Sequence, residues 1–356
     1  MKFDRPVIDS HMHLTTWTDF KERDMFSFFR QNCNDHEMKA YNICACATEP
    51  EGRYDASNMM LAALVKLNDP RAYAYGGLIY PEAPAKFPMP EGYDFVTQYN
   101  ELKEIGFDGI KMIESKPTDQ KKYQVDLSDE NYEPFFDLCE KNGDHMIWHA
   151  CDPETFWDID RIPKRHLAKG WYYGGGGYMS LEQLYKMIFS VLERHPKLRV
   201  NFAHFFFCSY RPEILVDLFE KYENVGVDIT PGAEMYGAFN ERHDFYRDFF
   251  IKYADRIMYG TDTVFGGGDR NHMREDQVYK VLTTDETVTV VDIPCKGLAL
   301  PDKVLDKILY LNFEKAAGKR PKPIDPDALK AYYEKNKKLI RFPEIAASLE
   351  EYFNKN

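Results

Sequence analysis

The chain has 356 residues and a mass of 41.7 kDa, and its 46 Lys and Arg against 58 Asp and Glu give a net charge of −12. That acidic balance argues against nucleic-acid and anionic-membrane binding, both of which use basic surfaces. With 44% hydrophobic and 29% charged residues, the composition is that of a folded chain and excludes a disordered one. Length alone leaves one large α/β barrel or two ordinary domains.

The N-terminus, MKFDRPVIDSHMH, is charged at Lys2, Asp4 and Arg5 and has no apolar core, so it does not read as a signal peptide. No run approaches the length of a membrane span. The seven cysteines (Cys33, Cys44, Cys46, Cys139, Cys151, Cys208, Cys295) are odd in number and form no CxxC pair. They read as reduced thiols, and the expected location is cytoplasmic.

Eight short apolar runs read as strands: Pro6–His13, Tyr41–Ala47, Ala72–Tyr80, Phe107–Ile113, His145–Cys151, Leu198–Phe206, Val225–Thr230 and Arg256–Asp262. They are continuously apolar, as in strands buried on both faces. Helical patterns lie between and after them: Asp24–Ala40, Ala56–Asn68, Tyr93–Ile105 (stopped by Gly106), Asp129–Asn142, Ser180–Arg194 (N-cap Ser180), Pro212–Tyr222, Arg242–Tyr253 and Pro301–Ala317. Eightfold β–α alternation predicts a (β/α)8 TIM barrel over residues 1–320, with a doubly wound open sheet as the rival. Residues 321–356 read as a C-terminal helical cap of the same domain.

Two βα connections, Asp152–Met179 and Thr263–Leu300, exceed ordinary loop lengths. Both contain runs of glycine, and the first also holds Trp157, Trp171, Tyr172 and Tyr173. Such loops on the top face of a barrel are expected to cover an active site as a lid.

The histidines carry the functional argument. His11 and His13 end strand one at i and i+2, so both side chains enter one space. His149 ends strand five, His204 lies near the end of strand six, and Asp262 closes strand eight. All five sit at C-terminal strand ends, where barrel active sites assemble. Three His and one Asp are a ligand set for Zn²⁺, and also for Mn²⁺, Fe²⁺ or Co²⁺. His145 begins strand five at the opposite face; His36, His195 and His243 lie in helix or loop segments and are given no role. His166 and His272 could reach the site from the long loops.

Val7-Ile-Asp-Ser-His-Met-His13, His149-Ala-Cys-Asp-Pro153, Asn201-Phe-Ala-His204 and Tyr259-Gly-Thr-Asp262 resemble the amidohydrolase superfamily. More narrowly they resemble its amidohydrolase-related branch, which includes aminocarboxymuconate-semialdehyde decarboxylase, resorcylate decarboxylases and some lactonases. Glu193-Arg-His-Pro196 and Tyr222-Glu-Asn-Val225 fit the same branch, and the likeness covers roughly residues 6–316. The resemblance implies that His11, His13, His149 and Asp262 bind one divalent metal with an open position. It implies that His204 stands beside the metal as an acid/base or water-orienting residue. It also implies a homodimer.

Lys111, in strand four, has several readings: a carboxylated bridge between two metals, a holder of a substrate carboxylate, or a partner of Glu114 or Asp108. A Schiff-base lysine is a further reading that leaves the His-x-His pair unexplained. Lys111, Arg53 and Arg211 are the cations expected to meet an anionic small-molecule substrate. Trp17, Tyr80, Trp157, Phe206 and Tyr210 are expected to ring the pocket. Hydrolysis through a metal-activated water on a carboxylate-bearing lactone or amide is the first expectation, with Asp262 and His204 catalytic. Decarboxylation of an aromatic or unsaturated acid uses the same residues, and a non-catalytic metal-binding barrel is the reading outside enzymology.

Overall fold

Eight parallel strand segments stand in sequence order around a ring. In a computed structural model describing residues 1–14, 22–46, 56–232, 234–265 and 269–355, they are β1 (Ile8–His13), β2 (Ala40–Ala45), β3 (Ala72–Gly76), β4 (Gly109–Met112), β5 (His145–Trp148), β6 (Arg199–Phe202), β7 (Val225–Asp228) and β8 (Ile257–Met258). A ninth segment, β9 (Thr263–Val264), completes the order β8-β7-β6-β5-β4-β3-β2-β1-β9. β8 pairs with β7, whereas β9 pairs with β1. Between them the Tyr259 carbonyl accepts from the Ser10 amide at 3.1 Å, and the Asp262 amide donates to the His11 carbonyl at 2.9 Å. Residues 257–264 are thus one interrupted strand that hands its pairing from β7 to β1 and closes the sheet into a TIM-barrel-like fold. The open-sheet rival is excluded.

The strands are shorter than their apolar runs because the runs continue into turns at the top face. Strand six ends at Phe202. The following turn, Ala203–Phe207, holds His204, Phe205 and Phe206 at φ near +56°. With Phe207 at φ 52°, four consecutive non-glycine residues lie in this region, at a cost of about 1–2 kcal/mol each. The buried Phe205 and Phe206 rings, stacked on Phe250 and Phe202, hold the turn in place.

The expected helices form, with shifts of a few residues. Asp24–Ala40 is realised as Glu22–His36, ended by Glu37 at φ 55°. Tyr93–Ile105 is realised as Phe95–Ile105 and stops at Gly106 in a left-handed C-cap with φ 103°. A Cβ at Gly106 would lie 2.1 Å from the Pro323 carbonyl oxygen, so this close approach also requires glycine. Ser180 caps Leu181–Arg194 in a reciprocal box with Gln183.

The two long loops are not bare excursions. The first contains a tight turn, Glu154–Trp157, a short helix, Lys164–Leu167, and its own apolar cluster of Phe156, Ile162 and Tyr173. The second contains the helix Asp269–Thr283 and an antiparallel hairpin, β10 (Thr287–Val290) with β11 (Ile293–Lys296). Periodicity missed most of these because the elements are short; the 15-residue helix Asp269–Thr283 is the exception.

The tail helices Pro326–Asn336 and Pro343–Lys355 pack on Phe95–Ile105 and Ser57–Asn68, burying Leu329, Tyr332, Ile345 and Leu349. Among the described residues no helix is long and apolar enough to cross a membrane. All seven cysteines are buried and unpaired.

Inside the barrel, Ile8, Tyr73, Tyr75, Ile147 and Met258 pack with Phe313 to fill the lower layer. His145 belongs to this end, bonded through its two ring nitrogens to Tyr75 Oη and Asn201 Oδ1, both at 2.9 Å.

Candidate metal centre

A regular strand carrying Ile8 inward would send His11 and His13 to the opposite face. The β1–β2 register prevents this. Asp9 pairs with Tyr41, but the next pairs are Met12 with Ile43 and His13 with Cys44, so β1 holds one extra residue. This bulge turns His11 and His13 into the barrel above the Ile8 layer, and bulges beside active sites commonly re-aim side chains in this way.

Both imidazoles have their tautomer fixed. His11 Nδ1 lies 2.8 Å from Asp228 Oδ2, and His13 Nδ1 lies 2.9 Å from the Cys44 carbonyl oxygen. Both partners are acceptors, so each Nδ1 carries the proton and each Nε2 presents a lone pair. The two Nε2 atoms are 3.0 Å apart, and Asp262 Oδ1 is 3.4 Å from His13 Nε2.

Three acceptors therefore converge, all within 4.8 Å of one another. Metal–nitrogen bonds of about 2.05 Å place tetrahedral ligand atoms about 3.3 Å apart, so this spacing suits one divalent ion. Burial also keeps the rings neutral: it lowers His11 well below its usual value and His13 to about 4, despite the opposing Asp262 carboxylate. Burial would raise the Asp262 carboxyl, but His13, His204, Arg274 and His11 together outweigh it and hold it below the ordinary range.

Lys111 comes up from β4 beneath the pair, 1% exposed, with Nζ 3.0 Å from His11 Nε2. Among the described residues no carboxylate lies within 4 Å of it. Asp108 instead pairs with Lys66, and Glu114 accepts from the Ile113 amide, so neither is the partner expected for Lys111.

His204 sits on the other side, its ring 5.6 Å from that of His11 and 4.9 Å from that of His149. Its Nδ1 is 3.0 Å from Thr230 Oγ1 and 3.3 Å from the Thr230 carbonyl oxygen, so its Nε2 is the bare nitrogen. Burial lowers both His149 and His204 to about 4. His149 is not gathered into the His11–His13–Asp262 cluster. Its Nε2 is buried without a hydrogen bond, 3.4 Å from Asp152 Oδ1.

Asp228 was missed by sequence reasoning. It receives His11 Nδ1–H, the His204 amide at 2.8 Å, the Thr230 amide at 3.1 Å and the Thr230 hydroxyl. The available signal was its position, since it ends β7 as His149 and Asp262 follow their own strands.

A cavity of about 280 Å³ opens above the cluster, touching His149, His204 and Asp262. Its other walls differ from those expected. His166 lines it, as anticipated for a residue of the long loop. Tyr80 does not: it is 2% exposed, stacks on Tyr123 and bonds Tyr132, and is core. Phe206 is likewise core, and Tyr210 is 47% exposed with its hydroxyl on Glu241. Trp157 packs inside its own loop with Nε1 on the Met179 carbonyl. Arg211 faces Glu154 at 3.5 Å and the Tyr185 ring. Trp17 and Arg53 lie outside the described residues. The cations at the cavity are Lys116, Arg165, Lys169 and Arg274.

No curated protein matches the sequence. Among solved structures, a putative amidohydrolase from Staphylococcus aureus is similar over 88% of this chain and all of its own, with 15% identity and a TM-score of 0.54. The 2,6-dihydroxybenzoate decarboxylase from Rhizobium is similar over 89% of this chain and 98% of its own, with 12% identity and a TM-score of 0.53. Identities this low speak for a shared fold. The profile of the Amidohydrolase family, by contrast, matches residues 8–316, from the first strand through the helix that follows the last. That span holds every residue of the cluster, and the chain belongs to the amidohydrolase family.

Proposed function

We propose that the protein is a metal-dependent hydrolase of a small anionic substrate, with zinc as the first choice of metal. One observation carries this reading: two neutral imidazoles whose unprotonated Nε2 atoms face each other at 3.0 Å beside a carboxylate oxygen, with Lys111 Nζ 3.0 Å from that of His11. Such a group of lone pairs calls for a cation between them. His11, His13 and Asp262 are the donors; His149, the fourth ligand that the resemblance implies, stands outside this group with its Nε2 3.4 Å from Asp152. A divalent ion held there supplies Lewis acidity, polarising a carbonyl oxygen and acidifying water.

The chain's own groups do the rest. Asp262 is ionised and takes a proton from the attacking water. His204 presents a lone pair at Nε2, so it can take that proton on from Asp262 and pass it to the leaving group. Lys111, buried with Nζ 3.0 Å from His11 Nε2, lies beneath the pair and outside the cavity lining.

A second reading is decarboxylation, favoured by the cationic cavity wall, which suits an acid, and by the fold shared with the Rhizobium decarboxylase. Metal analysis of the purified protein tests the centre: one ion per chain is expected, lost in the His11→Ala/His13→Ala double variant. An unchanged metal content in that variant would sink the reading. Assays of carboxylate-bearing lactones and amides, run beside carbon dioxide release from hydroxybenzoates and unsaturated acids, separate hydrolysis from decarboxylation.

A further inference from the structure

The cavity has a second polar wall that the metal chemistry does not use. It is built by the 152–179 loop and by Lys116, which follows β4. Trp171 is its centre: Lys116 Nζ and Lys169 Nζ lie 4.8 and 4.7 Å from the ring, and the His166 ring stacks on it at 5.6 Å. Arg165 lies on the same wall, turned toward Asp292 on the exposed side at 3.2 Å. His166 is 7% exposed, and its Nδ1 has no hydrogen-bond partner.

The charge at this cavity is unbalanced. Lys116 pairs with Asp152, Arg274 with Asp262 and Arg165 with Asp292, which leaves Lys169 as the lining cation without a carboxylate. Asp152 is taken by Lys116 at 3.0 Å and by the Tyr173 hydroxyl at 2.6 Å, and Asp262 belongs to the cluster. Lys169 has no carboxylate within 4 Å among the described residues. A positive excess gathered in one concavity of a chain with net charge −12 attracts an anion. The orphaned Nδ1 of His166 is a buried polar atom that needs a partner.

We propose that Lys116, Lys169 and His166, arranged around Trp171, form an oxyanion subsite distinct from the metal centre, so that the substrate carries a distal phosphate or carboxylate besides its reacting group. The subsite's role in substrate binding rests on the proposed metal-dependent reaction; its capacity to bind an oxyanion does not. Trp171 gives the bound molecule a flat wall. The lysine ammoniums supply point charge, and the His166 ring, stacked on Trp171, backs the wall.

The test is calorimetric titration of the purified full chain, metal-loaded and chelator-treated, with inorganic phosphate and separately with succinate. Saturable binding of at least one of them, one per chain, is expected in the chelated form, and whichever binds identifies the distal group. Lys169→Glu is expected to weaken that binding by about tenfold or more, the scale of one charge-assisted contact. Lys164→Glu changes the net charge equally from a residue that does not line the cavity, and is expected to leave binding unchanged. Both positions are exposed, so neither change threatens the fold. Absence of saturable binding of both probes to chelated protein, or equal weakening by the two variants, overturns the subsite. If the protein proves to hold no metal, the proposed reaction fails while the chelated-form titration still decides the subsite.

Discussion

Replacing Asp228 with Asn probes the tautomer logic of the centre without touching a ligand. Oδ2 of Asp228 serves His11 Nδ1–H alone, while Oδ1 takes the His204 amide, the Thr230 amide and the Thr230 hydroxyl. The amide of Asn keeps one acceptor. Held by the three donors, that oxygen stays at the Oδ1 position, and the new NH₂ faces His11 Nδ1. Imidazole answers by moving its proton to Nε2, which removes the lone pair aimed at His13 and Asp262. Losing such an outer partner costs 10- to 100-fold in metal affinity, or about 1.4–2.7 kcal/mol. The opposite amide orientation leaves three donors against an NH₂ group, at about 1–3 kcal/mol each, so it is the less favourable outcome. Competition with a chromogenic chelator measures zinc affinity directly, and circular dichroism checks that the barrel is intact. A folded Asp228→Asn protein with wild-type zinc affinity would refute the claim that Asp228 sets the His11 tautomer.

Three further outcomes are expected. Lys66 is buried, donating to the Gly106 carbonyl at 2.8 Å and to the Asp108 carboxylate; Lys66→Ala strands that buried carboxylate and should cost about 3–5 kcal/mol in urea unfolding, whereas a loss below about 1 kcal/mol would contradict it. Gly106→Ala forces a left-handed alanine whose Cβ meets the Pro323 carbonyl oxygen, so it should lower the melting temperature more than Gly318→Ala, where φ is 96° but the nearest atom is 3.8 Å away; the reverse order would defeat the steric argument. Burial lowers the His145 pKa from 6.5 to about 4, so folding favours its neutral form: this stability is full above pH 6.5 and is lost as pH falls toward 4, up to about 3 kcal/mol. His145→Gln should therefore flatten the dependence of urea stability on pH between 6.5 and 4 in metal-free protein, and an unchanged slope would count against it.

What the sequence made legible follows from the range of the interactions involved. β–α alternation and the strand-end positions of His11, His13, His204 and Asp262 are local patterns, and the barrel brings them to one end as expected. The bulge after Asp9 is set by pairing with β2, thirty residues away, and the handover from β7 to β1 is set by closure of the ring. No local period encodes either, yet both aim the cluster: without the extra residue His11 and His13 would face out, and without the handover Asp262 would not reach His13.

The expected pocket aromatics failed for a related reason. A large ring in an apolar run is claimed first by the core, as Tyr80 and Phe206 are, because burying it between helices and strands removes more apolar area from water than lining a polar mouth does. Much of the cavity wall is what the core cannot absorb: Arg165, His166 and Lys169 on the 152–179 loop, Lys116 after β4 and Arg274 in the Asp269–Thr283 helix. The candidate metal ligands are thus legible because they lie at strand ends. The residues proposed to meet the substrate sit on loops whose conformation depends on contacts across the whole top face, and on that argument Lys169 and His166, not Tyr80 or Arg211, are where a change in specificity should be sought.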